Sequence, residues 1–82
     1  MSGFGDLKTR KFLKLLSKLA RTKGVIITRG GRHNTKVTVV HTGESYPIPT
    51  SHRVVNKHIA KDFMEWLVRQ EVCGKDEFRN LL

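Results

Sequence analysis

The chain has 82 residues with 16 Lys or Arg against 7 Asp or Glu, a net charge of +9, and a single cysteine. That length suits one domain over residues 1–82 with a limited core, and the lone Cys73 excludes an internal disulfide and a thiolate metal cage. The surplus charge points to a polyanionic partner, nucleic acid first and an acidic protein second.

Residues 1–6 do not read as a leader, and the Leu-rich segment after them is broken by Lys too often to span a bilayer. A cytoplasmic protein with no membrane contact is expected. From Lys8 to about Thr22 the spacing predicts a helix, with Phe12, Leu13, Leu15, Leu16, Leu19 and Ala20 on one arc and Lys11, Lys14, Lys18 and Arg21 on the other. Asp6 reads as its N-cap or first-turn acid, and Gly24 as its stop. A basic amphipathic helix also suits a membrane surface, but Trp and Phe are missing from its polar boundary.

Val25-Ile26-Ile27-Thr28-Arg29 is short and β-branched and ends at Gly30-Gly31, so it predicts a strand. Thr35 to His41 alternates Val37 and Val39 against Lys36 and Thr38, the period of a sheet covered on one side. By that parity His41 shares the face of the valines. Thr42-Gly43-Glu44-Ser45 is a turn, and Tyr46-Pro47-Ile48-Pro49 a third strand, whose prolines put it on an edge. A second helix is expected from about Asn56, its cap, to Glu71, with Ile59, Phe63, Trp66 and Leu67 inward and His58 outward. Residues 75–82 supply one or two further helical turns. The order predicts an α+β fold, α-β-β-β-α, with a three-stranded antiparallel sheet and both helices on one face.

Charge and chemistry coincide early in the chain. The 37 residues from Leu7 to Gly43 hold ten Lys or Arg and no acid, and Gly30-Gly31-Arg32-His33 falls within them. A histidine titrating near neutrality takes a proton from a ribose 2′-hydroxyl and returns one to a departing 5′-oxygen, so RNA cleavage by internal transfer needs no metal. Arg29, Arg32 and Lys36 lie close in sequence to bind the scissile phosphate, and the glycines admit the backbone near it. His52 either caps the second helix or sits beside the same groove. The four histidines have no i, i+4 pair and no cysteine partners at zinc spacing, so neither a metal nor a cofactor is expected. Phe12, Phe63, Phe78 and Trp66 belong to apolar helical faces; Tyr46 alone is placed to stack on a base.

The ordered set of these features resembles the HicA-type toxins, the ribonuclease partners of bacterial toxin-antitoxin pairs. The resemblance runs through Arg10-Lys11-Phe12-Leu13-Lys14-Leu15-Leu16, a Gly and an Ile/Val-rich strand, Gly31-Arg32-His33, a strand pair, Pro49 before His52, and a closing helix ending Leu67-Val68-Arg69-Gln70 before Asp76-Glu77-Phe78-Arg79-Asn80-Leu81-Leu82. It implies a fold like that of double-stranded-RNA-binding domains, a metal-independent mRNA endoribonuclease with His33 catalytic, and a HicB-type antitoxin as protein partner. Arg32 and Lys36 would engage phosphate, and Lys11, Lys14, Lys18 and Arg21 would extend the RNA track. The alternative is a non-catalytic double-stranded-RNA-binding module, which reads groove shape, phosphate and 2′-hydroxyls and needs no histidine.

Overall fold

Secondary structure, in the computed structural model, is described for residues 6–30 and 34–82. The elements are β1 (Leu7–Lys8), α1 (Thr9–Thr22), β2 (Val25–Gly30), β3 (Asn34–Val39), β4 (Ser45–Pro49), β5 (Val54–Val55), α2 (Lys57–Arg69) and α3 (Lys75–Leu81). The expected α+β architecture is present, with β2, β3 and β4 forming the antiparallel sheet in that order. One feature lies outside the predicted pattern: a two-residue ribbon joins β1 to β5 through Leu7↔Val55 and Lys8↔Val54. The tail forms the further helical turns expected of it, as α3, with Phe78 fully buried.

Register fixes which side chains share a face. Val25, Ile27 and Arg29 of β2 stand opposite Val39, Val37 and Thr35 of β3, and Val37 and Thr35 stand opposite Tyr46 and Ile48 of β4. With a side-chain period of two, these residues form the helix-covered face, whereas Ile26, Thr28, Lys36, Ser45 and Pro47 form the open one. As the prolines require, β4 is an edge strand. Phe63 of α2 ties the layers together: its ring centroid lies 5.6 Å from Phe12 of α1, 5.5 Å from Tyr46 of β4 and 6.1 Å from Phe78 of α3.

Several local expectations are corrected. β3 ends at Val39, two residues early, because Val39 N–H donates to Glu44 and Gly43 N–H to the Val39 carbonyl; His41 is therefore an exposed turn residue and not part of the valine face. Tyr46 is half-buried against Trp66, 5.1 Å between centroids, so its ring belongs to the core and offers no base platform. Asp6 does not cap α1. Its Oδ1 accepts the backbone N–H of Lys57 at 3.0 Å, at the start of α2, where Asn56 Oδ1 also accepts from His58 N–H at 2.7 Å. Gly24 ends α1 as expected, at φ +69, a conformation that costs glycine nothing. α2 ends differently: Val72 N–H returns to the Leu67 carbonyl and Glu71 N–H to Val68, a Schellman closure with Glu71 itself at φ 59.

Candidate nucleic-acid interface

The surface of α1 divides cleanly. At roughly 100° per residue, Arg10, Lys11, Lys14, Lys18 and Arg21 fall within a single arc of about 100°, and all five are exposed. The opposite arc buries Phe12, Leu15, Leu16 and Leu19, with Leu13 and Ala20 partly covered beside them, so little of its apolar surface is left for insertion into lipid. No helix of the described residues is long and apolar enough to cross a membrane.

The ends of α1 are not alike. With 14 residues it rises about 21 Å, matching the roughly 20 Å of six-residue β2 that runs back along it. The end of β2, the start of β3 and the end of β4 therefore lie toward the start of α1. Backbone and side-chain contacts close this end: Asn34 pairs with both Gly30 and Pro49, the Thr35 and Thr50 hydroxyls share a hydrogen bond of 2.8 Å, and Thr9 N–H donates to the Arg53 carbonyl at 2.8 Å. The Thr9 hydroxyl donates to the His52 carbonyl. Two adjoining open hollows result. One, of about 430 Å³, is lined by Asp6, Leu7, Lys8, Arg10, Lys11 and Lys14; the other, of about 580 Å³, by Lys8, Thr9, Arg10, Arg53 and Val54.

This concentration of cations runs against local helix chemistry. The N-cap of α1 is Lys8, no side chain accepts from its first turn, and no acid occupies that turn. A helix start carries partial positive charge and favours anions, by about 0.3–1 kcal/mol per surface group. Lys8, Arg10 and Lys11 are thus mildly destabilising where they stand. A sequence that breaks a local rule without a packing gain marks a functional position more often than a structural one.

The other end is neutralised. Lys23 forms an ion pair with Glu77 of α3, and Lys18 Nζ donates to the Leu81 carbonyl at 3.1 Å. The hydrogen bond from Lys23, followed by the Gly74 N–H and the Lys23 charge, holds the Glu77 carboxyl below its ordinary range. Gln70 accepts from the Thr42 hydroxyl at 2.7 Å and donates to Glu44 at 3.3 Å, binding the end of α2 to the β3–β4 turn.

His33 and Arg32, the catalytic residue and the phosphate ligand expected from sequence, lie outside the described residues together with Gly31. Arg29 and Lys36 are separated. Register puts Arg29 on the helix-covered side with Thr35, and Lys36 on the open side with Thr28 and Pro47, so the two do not grip one phosphate as sequence proximity suggests. Lys11, Lys14 and Arg21 are exposed on the α1 arc as expected, and Lys18 is exposed but shared with α3. His52 does not cap α2, which Asn56 and Asp6 do; its side chain is exposed in the link preceding Arg53.

Sequence reasoning missed Lys8, Arg10 and Arg53. Arg10 was visible in principle, since it continues the Lys14, Lys18 and Arg21 arc. Arg53 carried no signal, because only the β1–β5 ribbon brings it to α1. Elsewhere, burial pushes the Cys73 thiol up, against thiolate chemistry. Burial, and then the Asp62 charge, raise the Tyr46 phenol. Among the described residues no three of His, Cys, Asp and Glu gather as metal ligands. No family model, curated protein or solved structure matches the chain.

Proposed function

We propose that this protein binds RNA along α1 and cuts it without a metal, as an mRNA endoribonuclease of the HicA type restrained by a HicB-type antitoxin in the cytoplasm. The observation that supports this most is the five-cation arc of α1, exposed along its whole length and flanked at its start by Lys8 and Arg53. A continuous cationic track gains affinity by releasing the counterions of a phosphodiester chain.

The chemical step is assigned to His33 on the sequence pattern. Its imidazole takes the 2′-hydroxyl proton, the 2′-oxygen forms a bond to phosphorus as the bond to the 5′-oxygen breaks, and the imidazolium returns the proton to that leaving oxygen. The products are a 2′,3′-cyclic phosphate and a 5′-hydroxyl. Neighbouring cations stabilise the charge that grows on the phosphoryl oxygens. His33→Ala is expected to abolish cutting while leaving the circular dichroism spectrum and RNA affinity near those of the parent. Cleavage at the parental rate by that variant removes His33 from the mechanism. The second reading, a binding module without catalysis, is favoured by the same cations, since the described residues supply a track independent of any histidine; salt-sensitive binding with no product over long incubation selects it.

A further inference from the structure

We infer that the paired hollows between the start of α1 and the β4–β5 link form a docking site for the RNA phosphodiester backbone, held by the guanidiniums of Arg10 and Arg53 and the ammonium of Lys8. The inference rests on the RNA reading above and gives it a place that the helical stripe alone does not define.

Four observations carry it. First, the site is assembled by the fold. Arg53 is 43 residues from Arg10 in sequence and is brought beside it by the β1–β5 pairing and by Thr9 N–H donating to the Arg53 carbonyl. Second, the lining holds five cations, Lys8, Arg10, Lys11, Lys14 and Arg53, against one acid. That acid, Asp6, already spends Oδ1 on the Lys57 N–H, and none of the five is in an ion pair with a described residue. Third, these like charges repel one another and the helix start; a bound anion relieves both, which gives the unfavourable placement a purpose. Fourth, Lys8 and Arg10 line both hollows, so a chain of phosphates passes from one to the other without leaving cationic surface.

The chemistry favours phosphodiester over other polyanions. Two arginines present planar forks that match phosphate oxygens bidentately, and they do so within a concave surface. An anionic membrane would draw on an apolar margin that α1 keeps in the core. A carboxylate-rich protein would meet the charge but not the shape of a narrow, flexible backbone.

Fluorescence anisotropy with a labelled single-stranded RNA, over a series of salt concentrations, tests the site. The variant carrying Arg10→Gln and Arg53→Gln is expected to lose at least about tenfold in affinity and about 1.4 from the log–log salt slope, the equivalent of two phosphate contacts on a single strand. A control with the same charge change at the far end, Arg69→Gln with Lys75→Gln, should lose less than about threefold at the same salt. Parental affinity and slope in the first variant, with the parent binding RNA, overturn the site alone; no RNA binding by the parent overturns the site and the RNA reading together. Equal competition by poly-glutamate, or equal binding to phosphatidylserine vesicles, overturns the commitment to phosphodiester. Since Arg53 contributes its carbonyl to α1, Lys8→Gln with Arg10→Gln repeats the test without altering position 53, and should show the same loss.

Discussion

The two ends of this small domain handle positive charge in opposite ways. Where α3 closes the fold, two cations serve stability: Lys23 meets Glu77 and Lys18 binds the last carbonyl of α3, while the neighbouring turn is tied through Gln70 to Glu44 and Thr42. Where α1 starts, Lys8, Arg10, Lys11 and Arg53 crowd around open hollows with one acid among them, and that acid caps another helix. Both helices begin at this same end, yet α2 receives Asn56 and Asp6 while α1 receives lysines and arginines. The contrast teaches that the fold binds cations where α3 packs and leaves those lining the hollows without an ion-pair partner among the described residues, the arrangement that the proposed RNA reading calls for.

The comparison can be broken most forcefully at the neutralised end. Phe78 anchors α3 with no exposed surface, 6.1 Å from the Phe63 ring; Phe78→Ala should cost about 3–5 kcal/mol, a large part of the stability of a domain this size. Urea unfolding reads the loss. RNA affinity of the protein that remains folded should stay near parental, because α3 is remote from the cationic hollows.

A smaller effect separates the two helix starts. Asn56→Ala removes the side chain that accepts from His58 N–H, and about 1 kcal/mol of stability should go with it. The opposite sign is expected at α1. Arg10→Glu places an anion in a first turn that has none, so thermal stability should rise by roughly 0.3–1 kcal/mol while RNA affinity falls. A melting temperature that drops along with affinity would mean that Arg10 is structural.

The smallest effect concerns the ion pair between Lys23 and Glu77. Glu77 is held below the ordinary carboxylate value of 4.5, so its contribution is full above that pH and fades as pH falls through the lowered value. Lys23 is held above 10.5 by the same hydrogen bond, so its contribution is full below that pH and fades above it. Glu77→Gln should therefore flatten the acid limb of the stability profile, an effect reduced by solvent and salt at so exposed a pair.

Much of this molecule was legible in its sequence for physical reasons. The period of Phe12, Leu15, Leu16 and Leu19 and the alternation of Val37 and Val39 are local, and so were α1, the sheet and the edge position of the Pro-bearing β4. What remained hidden was long-range. Asp6 stands two residues before Lys8 and invites assignment to α1, but the β1–β5 ribbon turns its carboxylate toward Lys57. Arg29 and Lys36 are near in sequence, and a hairpin register with a period of two sends them to opposite faces. Tyr46 was misread because its partners, Phe63 and Trp66, lie on a helix that follows it in the chain. The candidate site was half legible: the α1 arc was visible, whereas Arg53 was not, since nothing local marks a residue that matters only after two short strands pair.

Incubation of the protein with a labelled RNA strand and the DNA strand of the same sequence, in EDTA, tests the central claim most directly. Both strands should bind, and only the RNA should be cut, leaving a 2′,3′-cyclic phosphate, because the attacking nucleophile is the 2′-hydroxyl. Cleavage of both strands, or an RNA strand that stays bound and whole, would contradict it.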